Sequence, residues 1–155
     1  MKSFIYIPLI VFVLFFARCK KDYLISPIPN GVPAIIVKDS NGNNLLNPEY
    51  ENAFDVKSIR IYYIRDGKEK LQVNNIKDNM YFYNITNYNN QYIIEIYIDF
   101  SAKQTTTLIK WNEYDTDTLI CNIKKGGLIT KILFNNELEW EDPSGRNRPY
   151  FTIIK

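Results

Sequence analysis

The chain has 155 residues, room for one domain, and a formal charge of +2. Its 46% hydrophobic, 23% charged and 15% aromatic residues are those of a globular protein and exclude a disordered one. There is no His, which excludes Ser-His-Asp and Cys-His nucleophile systems and His-containing zinc sites, and two Cys cannot build a disulfide-rich scaffold or a four-cysteine metal site.

The first element is MKSFIYIPLIVFVLFFARC. Lys2 is a short positive start, and Phe4 to Phe16 is an apolar run of 13 residues. That length suits a signal-peptide core and is short of the roughly 20 residues that span a bilayer. Cys19 follows three residues after the run. A Cys there reads as a bacterial lipobox: cleavage before Cys19, a diacylglycerol on its thiol and acylation of the new amine, since two or three chains anchor stably where one does not. The expected organisation is therefore a signal peptide over 1–18, a lipidated tether over 19–33 and a folded domain over 34–155. Phe16-Ala17-Arg18 departs from the usual lipobox at Arg18, where a small residue is common. The competing reading is an uncleaved anchor flanked by Arg18, Lys20 and Lys21.

Cleavage changes the charge. Residues 1–18 hold two bases, Lys2 and Arg18, and no acid, so 17 bases would face 17 acids in the mature chain. A neutral domain gives no support for nucleic-acid binding, which needs a basic surface. It also leaves Cys121 alone in an apolar β-type run, where a buried, inert thiol is expected. Lys124 and Lys125 are the basic neighbours that a reactive thiol would need.

In the tether, Pro27, Pro29 and Pro33 with Asn30-Gly31 resist regular structure. From Ala34 onward the pattern predicts strands near 34–38, 57–65, 68–74, 80–85, 91–100, 105–111, 117–124, 128–134 and 137–141, with an optional one over 150–154. Ile59, Ile61 and Tyr63 share one face of the second strand. Asp66-Gly67, Asn89-Asn90 and Gly126-Gly127 are hairpin turns. QYIIEIYIDF, 91–100, has the β-branched and aromatic content of a central strand. Residues 48–56 have room for one helical turn, and no stretch carries a long 3.6-residue apolar period. Many short strands with polar turns predict an all-β fold, a two-sheet antiparallel β-sandwich of seven to nine strands, Ig-like in its general pattern. Val37–Pro48 is similar to the opening strand and turn of prealbumin-like domains, and that resemblance implies a prealbumin-like sandwich as the other form. The 18 Asn fall mostly at turns, where Asn tolerates left-handed backbone.

Val37–Pro48 (VKDSNGNNLLNP) resembles a D-x-x-G-x-D-L-L-N-P segment of small uncharacterised lipoproteins of the Bacteroidota. Ile59–Lys68 (IRIYYIRDGK), Ile109–Ile123 (IKWNEYDTDTLICNI, with its W-N-E-x-D-T-D-T pattern) and Thr130–Trp140 (TKILFNNELEW) resemble the same group. Asn44 stands where that pattern often has Asp. The resemblance implies an envelope address and no activity.

Several constellations bear on chemistry. Asp39–Asn43 suggests a calcium loop, but an EF-hand needs Gly at the sixth position and Glu at the twelfth. Counted from Asp39, those are Asn44 and Tyr50, so a side-chain-capped turn is expected instead. Glu113, Asp115 and Asp117 alternate, as do Glu137, Glu139 and Glu141, and in extended strands each trio shares a face. Leu138 and Trp140 alternate with the second trio, which predicts those two inward and the acids in water. A cation site or a glycosidase-type carboxylate pair is the alternative. Trp111 and Trp140 with the many Tyr make either sheet packing or a sugar-stacking platform. Asp117-Thr118-Leu119 is similar to the short O-glycosylation site of Bacteroidota, with Thr118 as acceptor, and Asn84-Ile85-Thr86 has the form of an N-glycosylation acceptor. No Gly-rich phosphate loop is present.

The expected role is non-enzymatic: a lipid-anchored protein of the cell envelope, at the outer membrane, with no cofactor, no catalytic or metal-ligating residue, no nucleic-acid partner, and an envelope protein or a glycan as its partner. A glycan-binding lipoprotein using exposed aromatics is the alternative. Lys20-Lys21-Asp22 occupies the position of a surface-export signal, and both the periplasmic and the outer face stay open.

Overall fold

The computed structural model describes residues 31–73 and 81–155. The signal segment, Cys19 and the tether up to Asn30 lie outside the described residues, as do the ends of two expected strands at Asn74 and Met80.

Ten strands form: β1 (Ala34–Lys38), β2 (Arg60–Arg65), β3 (Lys68–Leu71), β4 (Tyr83–Tyr88), β5 (Gln91–Ile96), β6 (Gln104–Lys110), β7 (Thr116–Lys124), β8 (Leu128–Phe134), β9 (Glu137–Glu141) and β10 (Tyr150–Ile154). They make a four-stranded sheet, β10-β1-β5-β4, and a six-stranded sheet, β3-β2-β6-β7-β8-β9. One apolar cluster joins Ile35, Val37, Ile94 and Ile96 of the first sheet to Ile61, Ile109, Leu119 and Ile132 of the second. The fold is thus an all-β sandwich, as expected.

The details follow from local chemistry. β6 and β7 alternate buried and half-buried residues, the period-2 signature of a strand with one face on the core. β1 is buried on both faces over its first four residues, as its unbroken AIIV run requires. Four hairpins turn through two residues with positive φ: Asp66-Gly67 (53° and 69°), Asn89-Asn90 (50° and 62°), Gly126-Gly127 (91° and 77°) and Asn135-Asn136 (49° and 70°). Asn, Asp and Gly bear that conformation most readily, and its twist matches the flanking strands.

The differences are informative. There are ten strands rather than seven to nine, because the optional tail strand forms. It pairs with β1 in parallel, Ala34 opposite Tyr150 and Lys38 opposite Ile154, so the sandwich is not wholly antiparallel. β2 begins three residues later than expected because Val56–Ser58 makes a 3₁₀ turn capped by the Asp55 carboxylate, which accepts from the Lys57 amide at 3.0 Å. β4 runs to Tyr88 instead of Ile85, carried by a regular six-pair register with β5. β5 is an interior strand of its sheet but stops at Ile96. Gly31, Val32 and Pro33, expected in the tether, are buried, so packed structure reaches back to Gly31.

The strand directions give the sandwich two unlike ends. At one lie Gly31 and Ala34, the end of β5, the start of β6 and the end of β7 at Lys124. At the other lie Lys38, Trp111, the start of β7 and Lys155.

Candidate functional site

The far end, away from Gly31, is built around Trp111, which is 0% exposed and stacks on Phe54 with ring centroids 5.2 Å apart. Its indole Nε1 donates to Asp117 Oδ2 at 2.6 Å, and Asn135 Nδ2 donates to Asp117 Oδ1 at 2.7 Å. Lys155 Nζ donates to both oxygens of Asp115, at 2.6 and 2.8 Å, and lies 2.8 Å from Asp117 Oδ2. The expected water-facing trio therefore does not exist. Asn112 Oδ1 caps the amides of Tyr114 and Asp115, which keeps Glu113 and Asp115 in a turn, outside the strand. Asp117 lies in β7 opposite the core residue Ile109, and is only 5% exposed. Directly opposed residues share a face, so Asp117 points inward.

The second trio also fails to share a face. The register of β8 with β9 shifts between Ile132 and Leu133: Ile132 opposes Trp140, while Leu133 opposes Leu138 and Phe134 opposes Glu137. This bulge inserts Glu139 as the extra residue and reverses the alternation on either side of it. Trp140 packs against the core, as expected. Leu138 does not; it is 54% exposed, and Glu137, opposite Phe134 at the strand start, is exposed as well.

These two irregularities bring four of the six carboxylates together. Asp115, Asp117, Glu137 and Glu139 line a groove of about 690 Å³ between the sheets, with Phe134, the end of β10 from Thr152 to Ile154, and Lys155 completing its wall. Four carboxylates against the Lys155 ammonium leave it with three net negative charges. β10 borders it as an edge strand. The Ala34 amide donates to the Pro149 carbonyl and the Lys155 amide to the Lys38 carbonyl, so odd-numbered residues of β10 bond to β1. In a parallel ladder the alternate residues face the other way, which leaves Tyr150, Thr152 and Ile154 with outward-pointing N–H and C=O groups. Among the described residues, no group of three or more acidic or Cys side chains converges closely enough to hold a metal ion.

The remaining sequence candidates are dispersed. Trp111 is buried and cannot offer a face to a sugar. The exposed aromatics Tyr88, Phe100, Tyr114 and Tyr150 stand on four different elements. Thr118 is half-buried inside β7, with its amide held by Asn135 Oδ1 at 2.9 Å. Asn84 lies in β4 and donates to the buried Glu95 at 3.0 Å; Arg148 completes that ion pair at 2.7 Å. The Asp39 loop is a side-chain-capped turn, as expected. The Asp39 carboxylate accepts from the amides of Asn41 and Asn43, from Asn43 Nδ2 and from the Tyr50 hydroxyl at 2.6 Å. The Tyr50 bond, then the Asn43 side chain, lower its pKa to about 2. Cys121 is buried in β7, and burial pushes its thiol up to about 12, which removes the thiolate that reactivity requires.

The near end has the opposite charge. Lys103, Lys124 and Lys125 surround a shallow depression of about 610 Å³ with Phe100 and the Gly126-Gly127 turn. Beside it a smaller cleft of about 400 Å³ carries the Arg65–Asp99 pair, 2.6 Å from Nε to Oδ2, and Thr105. Thr105 is 7% exposed, and its hydroxyl has no partner among the described residues. Sequence reading singles out Lys124 and Lys125 as neighbours of Cys121, but they flank the hairpin beyond it. Lys103 joins them only through the pairing of β6 with β7. Lys155 carries no local signal at all; its partners are 40 residues away.

No family model, curated protein or solved structure matches this chain.

Proposed function

We propose that this chain is a lipid-anchored protein of the bacterial cell envelope whose β-sandwich works by binding an envelope partner, without a cofactor or a catalytic step. The anchor rests on one observation: the 13-residue apolar run ends three residues before Cys19. Cys121 is buried with its thiol pushed up, so the chemistry of that cysteine does not compete with this reading. Among the described residues no helix is long and apolar enough to cross a membrane. The resemblance to Bacteroidota lipoproteins points to the same address.

The groove between β9 and β10 is the surface that suits binding. Main-chain groups on the β10 edge fit an added strand, and three net negative charges favour an extended segment with basic side chains at alternate positions.

The decisive experiment is the mass of the mature N-terminus from membrane fractions, beside a Cys19→Ala variant. An acylated peptide beginning at Cys19, lost in the variant, is the expected result. An unmodified chain beginning at Met1 overturns the anchor and replaces it with an uncleaved helix. The groove is tested separately with a capped peptide of alternating Lys and Val. Binding is expected to weaken at least tenfold in Glu137→Lys/Glu139→Lys and on N-methylation of alternate peptide amides. Binding indifferent to N-methylation would remove strand addition.

A further inference from the structure

Gly31, where packed structure begins, and a cluster of three lysines lie at the same place. An added Cβ on Gly31 would stand 2.9 Å from Phe100 Cζ and 3.2 Å from the Gly127 carbonyl oxygen. Gly31 is thus in contact with the two elements that border the lysine depression, the Phe100 connection and the Gly126-Gly127 turn. Twelve residues separate Cys19 from Gly31, and a chain of that length reaches at most about 43 Å. If Cys19 is acylated, this end stays within that distance of the lipid surface.

The charge at this end is uncompensated in a specific way. Lys103 and Lys125 are exposed and have no partner among the described residues. Lys124 donates to a neutral group, the Pro143 carbonyl. The nearby acids are engaged. Asp99 is paired with Arg65. Asp142 accepts from the amides of Ser144, Arg146 and Asn147, from the Ser144 hydroxyl and from Asn147 Nδ2. Asp66, in the turn after β2, and Glu141, at the end of β9, stand exposed. Phe100, 47% exposed, supplies an apolar side chain amid the lysines. The other end carries the carboxylates of Glu113, Asp115 and Asp117, across the nine residues of β7, about 30 Å away.

We infer that the end formed by Lys103, Lys124, Lys125 and Phe100 docks on the anionic lipid surface to which the chain is tethered, turning the acidic end and its groove outward. Basic side chains near a membrane are drawn to anionic headgroups within a Debye length, and an aromatic ring among them fits the headgroup boundary. The inference rests on the lipid anchor proposed above, and it names the partner of this end as a surface of anionic phospholipid.

The test uses the full acylated chain reconstituted in vesicles. An environment-sensitive dye is placed through Ala102→Cys at the near end or Tyr114→Cys at the far end; both positions are exposed, and the native Cys121 is buried. Vesicles are 3:1 phosphatidylethanolamine:phosphatidylglycerol or pure phosphatidylcholine, each with a spin-labelled lipid as quencher. Flotation on phosphatidylcholine vesicles reports the anchor; quenching reports docking. Expected is strong quenching at position 102 on anionic vesicles only, none at 114 on either, and loss at 102 in Lys103→Glu/Lys124→Glu/Lys125→Glu. Lys103→Glu/Lys125→Glu, which breaks no bond in the fold, should reduce the quenching at least threefold. Flotation with equal quenching at 102 and 114, or quenching at 102 unchanged by the lysine variants, overturns the docking and leaves the anchor standing. Failure to float on phosphatidylcholine, with quenching at 102 retained on anionic vesicles, overturns the anchor and leaves the docking. No association with either vesicle overturns both.

Discussion

The two ends of the sandwich spend their charged residues differently. At the acidic end two carboxylates, Asp115 and Asp117, are consumed inward, and Glu137 and Glu139 are left to the groove. Asp117 is 5% exposed and holds Trp111, Asn135 and Lys155 in one network, and Asp115 shares the same ammonium. At the basic end Lys103 and Lys125 hold nothing among the described residues. Charges that tie strands together are structural by construction, whereas charges left in water at no structural gain are free to serve an external partner. The contrast teaches that residue type alone does not separate the two roles; burial and partners do.

The largest effect that would break this contrast is at Asp117. Asp117→Ala leaves the half-enclosed Lys155 ammonium, the Trp111 N–H and the Asn135 amide short of a partner. Such a loss costs about 3 kcal/mol, because two donors lose a charged acceptor away from water, while Lys155 keeps both oxygens of Asp115. Lys103→Ala and Lys125→Ala at the other end should stay within about 0.5 kcal/mol of the parent, as surface changes do. Denaturant unfolding of the three variants measures both. A costly lysine variant or a cheap Asp117 variant would void the distinction.

How much of this was legible in the sequence follows the range of the interactions. The hairpin at Asp66-Gly67, the Asp39 cap and the boundaries of β1 and β8 rest on neighbours within a few residues, and they read correctly. The ELEWE alternation of β9 was misleading. A bulge opposite Ile132 and Leu133 is decided by how β9 meets β8, so of the two expected inward residues only Trp140 packs on the core, and Leu138 turns to solvent. The acidic network needs Lys155, 38 residues beyond Asp117, delivered by a parallel pairing of the first and last strands that no local pattern announces. Lys124 and Lys125 draw notice in the sequence only as neighbours of Cys121; the third lysine beside them and their nearness to Gly31 exist only in the folded chain.

The basic end does have a structural dependence, and it lies in backbone instead of charge. Gly145, in the connection leading into β10, has φ +67°, and an added Cβ would sit 2.9 Å from Leu128 Cβ and 3.2 Å from the Ile129 carbonyl. Gly145→Ala therefore combines left-handed backbone strain with a clash against backbone, and should cost about 1–3 kcal/mol. Thermal unfolding checks it. A neutral result would mean that the connection from Asp142 to Pro149 is less firmly seated on β8 than its hydrogen bonds indicate.

Acid should weaken the capped turn at Asp39. The Asp39 carboxyl is held at about 2, below its ordinary 3.8, chiefly by the Tyr50 hydroxyl. Because the folded pKa is the lower one, the ionised carboxylate stabilises the fold above about pH 4, and that contribution is lost as pH falls toward 2. Asp39→Asn cannot titrate. It should be less stable than the parent at pH 6, and its stability should fall less steeply between pH 4 and 2, measured by urea unfolding across that range. Equal slopes would show that the Tyr50 and Asn43 bonds do not persist in solution.

The smallest effect has the opposite sign and lies beside the basic end. Thr105 opposes Cys121 in the β6–β7 ladder and points to the core, where its hydroxyl oxygen finds no partner among the described residues. A buried polar group left unsatisfied costs its desolvation without a return. Val keeps the β-branched shape that suits a strand and discards the hydroxyl. Thr105→Val should therefore stabilise the protein by about 1 kcal/mol. The Cys121 thiol, buried behind it, serves as an internal gauge, since its modification by a thiol reagent requires opening of the same ladder and should slow in the variant. A loss of stability would instead show that the hydroxyl has a partner in solution, and the adjoining Arg65–Asp99 cleft would then hold an ordered water on the route from the basic end into the core.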